Sequence, residues 1–423
     1  LASALARAGH DVTLQPLYTP VRTDGENLSR PRVAFGGLNV FLQQKFALFR
    51  KTPGWFDRLL DSPALLRWLG RFSGRTNPAD LGALCVSMLR GPAGRQAKEL
   101  DKLLELLAAD TPPDIVHLSN ALLAGLAGPI RRRLGVPVVV SLTGEDVFLE
   151  KLPARYKEEA YRELTRCAAQ VDAFVSPSGY FARHMSDTLR IPRERIRVIP
   201  PGIQLSGYPS EPKPTDFREG KSNRGEFRVG YFSRVCHDKG LHVLIDAAER
   251  ILADQAASQI RFDAAGYLAL EDAGYLRGIE RRCQRPALEG RFHYAGSPDR
   301  QAKIAFLRAA DVICLPSVFP ESKALIALES WAAGTPVVAP RQGAFPELME
   351  DTGAGVLFEP DDPADLARAL RELAAEPDRL TEMGQRGYEA LRQRYHDGLT
   401  AQRTVNLYRA VLADAGLDSG LSR

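Results

Sequence analysis

The sequence predicts an α/β protein built from doubly wound parallel sheets, and three observations lead there. Short apolar runs ending in small or polar residues alternate with amphipathic helical stretches, which is the pattern of βα units. The 423 residues, 44% of them hydrophobic, suffice to bury two cores and suggest two or three domains. Between two sets of βα units, Ser206 to Gly225 is rich in Pro, Gly and charge and reads as a linker.

Taken in order, LASALARAGHDVTLQPLY reads as a helix through about Arg7, a turn at Gly9 and a strand at Asp11 to Leu17. Gly36 and Gly37 precede a helix in FGGLNVFLQQ, where a glycine pair could cradle a phosphate or sugar or simply turn the chain. From Lys45 to Arg75, seven basic and two acidic residues are interleaved with Phe46, Phe49, Trp55, Phe56, Trp68 and Phe72. Such a stretch suits an anionic membrane surface, or a helical insertion with its cations outward. PDIVHLSN (113 to 120), VPVVVSLTGED (136 to 146), AFVSPSG (173 to 179) and RIRVIPPG (195 to 202) read as strands, with helices such as ARYKEEAYRELTRCAAQ (154 to 170) between them. After the strand in SLTGED, Thr143, Glu145 and Asp146 offer polar groups that could bond a ligand hydroxyl, although Asp146 as a helix N-cap explains that residue as well.

FRVGYFSRVCHDKGLHVLIDAAERI (227 to 251) is a buried strand, a polar loop with Arg234 and Lys239, and an amphipathic helix. Ligands of open α/β sheets bind outside the carboxyl ends of the strands, so two cations at this turn suit an anion. Downstream, seven residues separate Glu321 from Glu329 in FPESKALIALESWAAGTPVVAP, just after the strand DVICLPS. A helix beginning near Ser322 would offer the amides of Ser322, Lys323, Ala324 and Leu325 and its positive dipole end to a phosphate. Glu329 would then lie on that helix about 12 Å further along, roughly the reach from a sugar across a diphosphate to a ribose.

The net charge of +4 from 108 charged groups gives no case for nucleic acid. Cys85, Cys167, Cys236, Cys283 and Cys314 are scattered, odd in number and without metal-ligand spacing, which suits a reduced, cytoplasmic setting. No apolar run approaches 18 residues and no signal peptide is visible. The absence of a G-x-G-x-x-G after a strand disfavours a dinucleotide dehydrogenase.

In this order, Arg234 and Lys239 in SRVCHDKG, AAGYL (264 to 268), DVICLPS, the E-x7-E pair, AAGTPVVAP (332 to 340), QGAFPEL (342 to 348) and GAGVLFEPDDPADLARAL (353 to 370) resemble glycosyltransferase family 4. The resemblance covers nearly the whole chain. It implies the GT-B fold, two Rossmann-like doubly wound domains facing a central cleft: residues 1–205 on the acceptor side, 206–395 binding the nucleotide sugar, and a helix in 396–415 crossing back. It implies a strand and glycine-rich turn ahead of the first helix, so a gap is expected beside Asp11 to Leu17. By position, Arg234 and Lys239 would hold the diphosphate, Glu321 the donor sugar and Glu329 the ribose. The implied reaction is transfer from a nucleoside diphosphate sugar to a hydroxyl with retention at the anomeric carbon. The two cations and the helix amides would meet the leaving-group charge without a metal or cofactor. Two departures stand out: Ala324 where the family usually has Gly, and Thr143 where many members have His. Sugar-nucleotide epimerisation, or binding without turnover, are the alternative readings.

Overall fold

The computed structural model describes residues 1–21, 27–31, 33–46, 49, 78–109, 111–212, 226–253 and 259–417. Most of the Lys45 to Arg75 stretch, and residues 213–225 of the expected linker, lie outside the described residues. The chain divides into two compact units, Leu1–Pro200 with Thr400–Arg423, and Pro201–Leu399.

The first unit holds a four-stranded parallel sheet, β1 (Val116–Leu118), β2 (Val138–Ser141), β3 (Ala173–Ser176) and β4 (Ile196–Val198), in that spatial order. Val138, Val139 and Val140 are all fully buried, as in strands covered on both faces. Val138 and Val140 face a core with Leu126, Ile130, Phe174 and Phe181. Val139 faces the other side, where Ala4, Leu5, Ala173 and Ile199 pack with Ala401, Val405, Leu407, Tyr408 and Val411 of the last helix, Asp397–Asp414. On that side, His117 Nδ1 lies 2.6 Å from Tyr408 Oη and its Nε2 2.8 Å from Ser141 Oγ.

The first helix is Ala2–Arg7, and Gly9 turns the chain at φ +90° as expected. The expected strand Asp11 to Leu17 is reduced to two isolated bridges, Leu14 to Ser29 and Leu17 to Ala34. Pro16 lacks an N–H, so a continuous ladder cannot pass through it, although its carbonyl still accepts from Ala34 N.

The second unit is a six-stranded parallel sheet of β5 (Phe227–Phe232), β6 (Ile260–Ala265), β7 (Phe292–Tyr294), β8 (Val312–Cys314), β9 (Val337–Pro340) and β10 (Gly355–Phe358). Its spatial order, β7-β6-β5-β8-β9-β10, reverses direction between β5 and β8. This is the doubly wound order with its switch point there, the place at the strands' carboxyl ends where open α/β sheets bind ligands. The start of the expected linker is packed into this unit. Arg300 donates to the carbonyls of Gln204 and Ser206, Tyr388 and Arg392 donate to that of Pro209, and the Tyr208 ring is buried beneath the Arg300 guanidinium.

Candidate active site

The switch point of the second unit gathers the sequence-predicted donor residues. After β5, Ser233 N donates to Ala265 O and Val235 N to Tyr267 O, so the loop carrying Arg234 stays tied to the neighbouring strand's end. Arg234 is exposed, with its Nε 3.3 Å from Cys236 Sγ. Gly240, at φ +72°, closes the loop; a Cβ there would lie 1.7 Å from Pro316 O, so only glycine lets the loops after β5 and β8 touch. Val318 N donating to Asp238 O fastens them.

That contact brings Lys239 to Glu321. Their ion pair leaves the side chains 21% and 17% exposed, and the Lys239 ammonium also sits 4.6 Å from the Phe319 ring centre. Lys239 is thus already paired rather than open, contrary to the simplest expectation for an anion-binding cation. Glu321 Oε1 also accepts from Ser317 Oγ at 2.7 Å. The loop after β9 completes the support: Gln342 Nε2 donates to Ser317 O, and Ala344 N donates to Glu321 O, both at 2.8 Å. Gly343, at φ +64°, lies so close that a Cβ would come within 2.5 Å of Glu321 N.

The helix between the two glutamates starts later than the sequence suggests, at Leu325 rather than near Ser322. Ala324 is its N-cap and adopts a left-handed φ of +48°. Of the four predicted amides, only that of Leu325 belongs to the helical first turn; Ser322 and Ala324, both buried, and half-buried Lys323 precede it. The 12 Å estimate is corrected with it, since regular helical rise applies only from Leu325 to Glu329, about 6 Å.

Glu329 lies in that helix with one carboxylate oxygen held. Its Oε1 accepts from Lys303 Nζ at 2.6 Å, and the two side chains are 15% and 19% exposed. Its Oε2 is shielded from solvent and has no donor among the described residues, and neither does the nearby Tyr208 hydroxyl. Burial and the Glu329 charge together push that phenol well above its ordinary range. Lys303, Ser317 and Gln342 were not legible as site residues. Lys303 stands 26 residues from Glu329, on the helix Arg300–Ala309, with no spacing to connect them.

In the first unit the expected acceptor residues separate. Glu145 is buried and its carboxylate is saturated. It accepts from the backbone amides of Ala121, Thr143 and Gly144 and from Thr143 Oγ1, at 2.7 to 3.1 Å. This knot fixes the turn after β2, where Gly144 adopts φ +100°; it does not leave Glu145 open to an acceptor, and the Thr143 hydroxyl is spent on it. The helix Glu145–Glu150 is capped by Gly144, so Asp146 is not its N-cap. Instead Asp146 Oδ2 lies 3.2 Å from His184 Nε2, and the carboxylate holds that imidazole above its ordinary pKa. Gly36 caps the helix Gly37–Lys45 at φ −47°, a backbone conformation any residue can adopt.

Sequence comparison agrees with the geometry. The family model for glycosyl transferases group 1 matches residues 212–390, and that for Glycosyltransferase Family 4 matches residues 84–206. A D-inositol 3-phosphate glycosyltransferase of Segniliparus rotundus is 30% identical over 349 residues, 80% of this chain and 73% of the relative. One of Acidothermus cellulolyticus is 30% identical over 323 residues, 71% and 68% of the two chains. Among solved structures, Anabaena Alr3699/HepE in complex with UDP matches with a TM-score of 0.64 at 19% identity, covering 89% of this chain and 96% of that one. Sucrose-phosphate synthase of Thermosynechococcus elongatus gives 0.63 at 22%, covering 77% and 82%. The chain has the GT-B fold, is a glycosyltransferase, and belongs to glycosyltransferase family 4.

Proposed function

We propose that the chain transfers a sugar from a nucleoside diphosphate sugar to an acceptor hydroxyl, with retention at the anomeric carbon and without a metal ion. The observation that carries this reading is the convergence of Arg234, the Lys239–Glu321 pair and the helix start at Leu325 on the β5/β8 switch point, with Glu329 one turn beyond. Arg234 and Lys239 bind the diphosphate and meet the negative charge that grows on it as the sugar departs. Lys239 exchanges its Glu321 partner for a phosphate oxygen. The freed carboxylate then accepts from sugar hydroxyls, held in place by Ser317 and the Ala344 amide. Glu329, steadied by Lys303, accepts from the ribose hydroxyls.

Neighbouring structures solved with UDP and UDP-glucose support a nucleotide-sugar donor, with uridine the first base to try. The relatives' activity makes a polyol such as inositol 3-phosphate the first acceptor. With the acceptor entering on the leaving-group side, retention needs no covalent intermediate on Glu321. Peripheral contact with an anionic membrane through Lys45 to Arg75 belongs to the same proposal, and salt-sensitive flotation with anionic liposomes tests it. Among the described residues no helix is long and apolar enough to cross a membrane.

The decisive experiment is a thermal-shift series with UDP, GDP, ADP and their sugars, followed by kinetics. At 100 times its Kd the true nucleotide stabilises the folded state by about 2.7 kcal/mol. Arg234→Ala and Lys239→Ala should each lower turnover by about 10² to 10³-fold, equivalent to about 2.7–4 kcal/mol. Unchanged turnover in both variants would overturn their roles, and a shift from no nucleoside diphosphate would overturn the donor class.

A further inference from the structure

The first unit contains an acid–imidazole pair for which the donor site has no use. β2 and β3 are neighbouring parallel strands, so the helices that follow them, Glu145–Glu150 and Gly179–Leu189, begin at the same carboxyl edge of the sheet. The Glu145 knot fixes the first helix start, and Ser178 Oγ, accepting from Phe181 N at 3.2 Å, caps the second. Asp146 and His184 meet there, 3.2 Å apart, with side chains 18% and 36% exposed. The Tyr180 ring lies parallel to the imidazole at 6.1 Å, and Phe181 sits at 5.9 Å.

The ring is oriented by these neighbours. Its Nε2 is buried 3.2 Å from Asp146 Oδ2, within ion-pair distance but outside hydrogen-bond geometry, and the contacts of the ring to Asp146, Tyr180 and Phe181 leave Nδ1 as the nitrogen turned from the carboxylate. A carboxylate beside one imidazole nitrogen fixes the tautomer with the proton on that side, which leaves the other nitrogen as a lone-pair acceptor. The charged groups around the ring are acids: Asp146 and Glu150 on one helix, with Lys157 already paired to Glu150 at 2.9 Å, and Asp187 on the ring's own helix. This field repels a phosphate and tolerates a neutral hydroxyl.

We propose that Asp146 and His184 form a hydroxyl-recognition point for the acceptor, at which His184 Nδ1 takes a hydrogen bond from one hydroxyl of a polyol or sugar and Asp146 positions the ring. The proposal rests on the glycosyl-transfer reading above. It is testable apart from that reading, because the contact involves no donor residue.

The test uses the whole chain with ¹⁵N-labelled histidine, titrated with glycerol, glucose, inositol and inositol 3-phosphate. At least one of these should shift the His184 Nδ1 resonance saturably. For that compound, His184→Phe, which keeps a ring against Tyr180, and Asp146→Asn should each weaken binding about tenfold. UDP affinity should stay the same, and in transfer assays the acceptor KM should rise with the donor KM unchanged. Because a hydroxyl both donates and accepts, wild-type affinity should stay level as His184 titrates. Affinity that falls as pH rises through that titration would mean an anion is bound and would overturn the proposal. So would a His184 resonance that no compound moves, or a His184→Phe variant that loses UDP and acceptor equally. Failure of the donor reading appears separately, as no response to any nucleoside diphosphate.

Discussion

Replacing Lys303 with Met tests how the second unit tolerates a carboxylate so deep in its site. The ammonium lies 2.6 Å from Glu329 Oε1, and both side chains are less than a fifth exposed. With Oε2 already lacking a donor, Lys303→Met leaves neither oxygen of the carboxylate with its partner. Breaking a fully buried ion pair from one side costs about 3–5 kcal/mol, and the residual exposure lowers the expectation to about 2–3 kcal/mol. The double variant Lys303→Met/Glu329→Gln removes the charge as well as its partner and should recover about 1–2 kcal/mol of that loss. Urea denaturation of the four proteins of this cycle measures both quantities, provided the unfolding slope stays constant. A single variant that costs less than about 0.5 kcal/mol, or a double whose effects merely add, would refute the view that Lys303 neutralises a buried Glu329.

Gly343→Ala should cost about 2–4 kcal/mol and most of the turnover, because the new methyl meets backbone atoms of Glu321 as well as a left-handed φ. Gly353→Ala, at a similar φ of +60° but with its nearest neighbour at 3.7 Å, should cost only about 1–2 kcal/mol and leave turnover intact; equal effects in the two would remove the clash argument. Ala324→Gly should fall within about 1 kcal/mol of wild type in denaturant titration. Relief of about 1–2 kcal/mol of left-handed strain is offset by about 0.8 for the lost buried methyl and about 0.4–1 for the freer unfolded chain. His117 is held at about 4 by burial, below its ordinary 6.5, so the unfolded chain binds the extra proton between those values. Its contribution is present above pH 6.5 and is lost as pH falls towards 4, by up to about 3 kcal/mol; an equally steep acid loss in His117→Gln would show that another group is responsible.

The strands and their parallel order were legible because each apolar run is short, ends in small or polar residues and is followed by an amphipathic helix. The β5/β8 loops were legible as a site because their charges sit at fixed offsets from those runs. Two kinds of feature were not. Ala324 by its own residue type gives no sign that it is left-handed, and the family's usual Gly at that position was its one signal, so the helix start was placed three residues early. Long-range partnerships such as Lys303 with Glu329, or the Glu145 knot that reaches Ala121, leave no local pattern, and Glu145 looked open because the sequence does not show that its carboxylate folds back onto the neighbouring Thr143 and Gly144 amides. Asp11 to Leu17 has the alternation of a strand, but the missing N–H of Pro16 outweighs it.

The last helix completes a core begun four hundred residues earlier. Ala401, Val405, Leu407, Tyr408 and Val411 cover the face of the first sheet that Val139, Ala173 and Ile199 present, and the second unit is encoded wholly between them. During synthesis, therefore, the first sheet emerges with one apolar face covered only by the first helix, and stays so while the entire second unit is translated. The second unit, continuous in sequence, can close first, reversing the usual N-to-C order of domain folding. A ribosome that stalls or terminates between Leu399 and Val411 releases a chain whose second unit is complete but whose first sheet is open to aggregation. Truncation before Thr400 should consequently cost solubility while leaving the second unit folded.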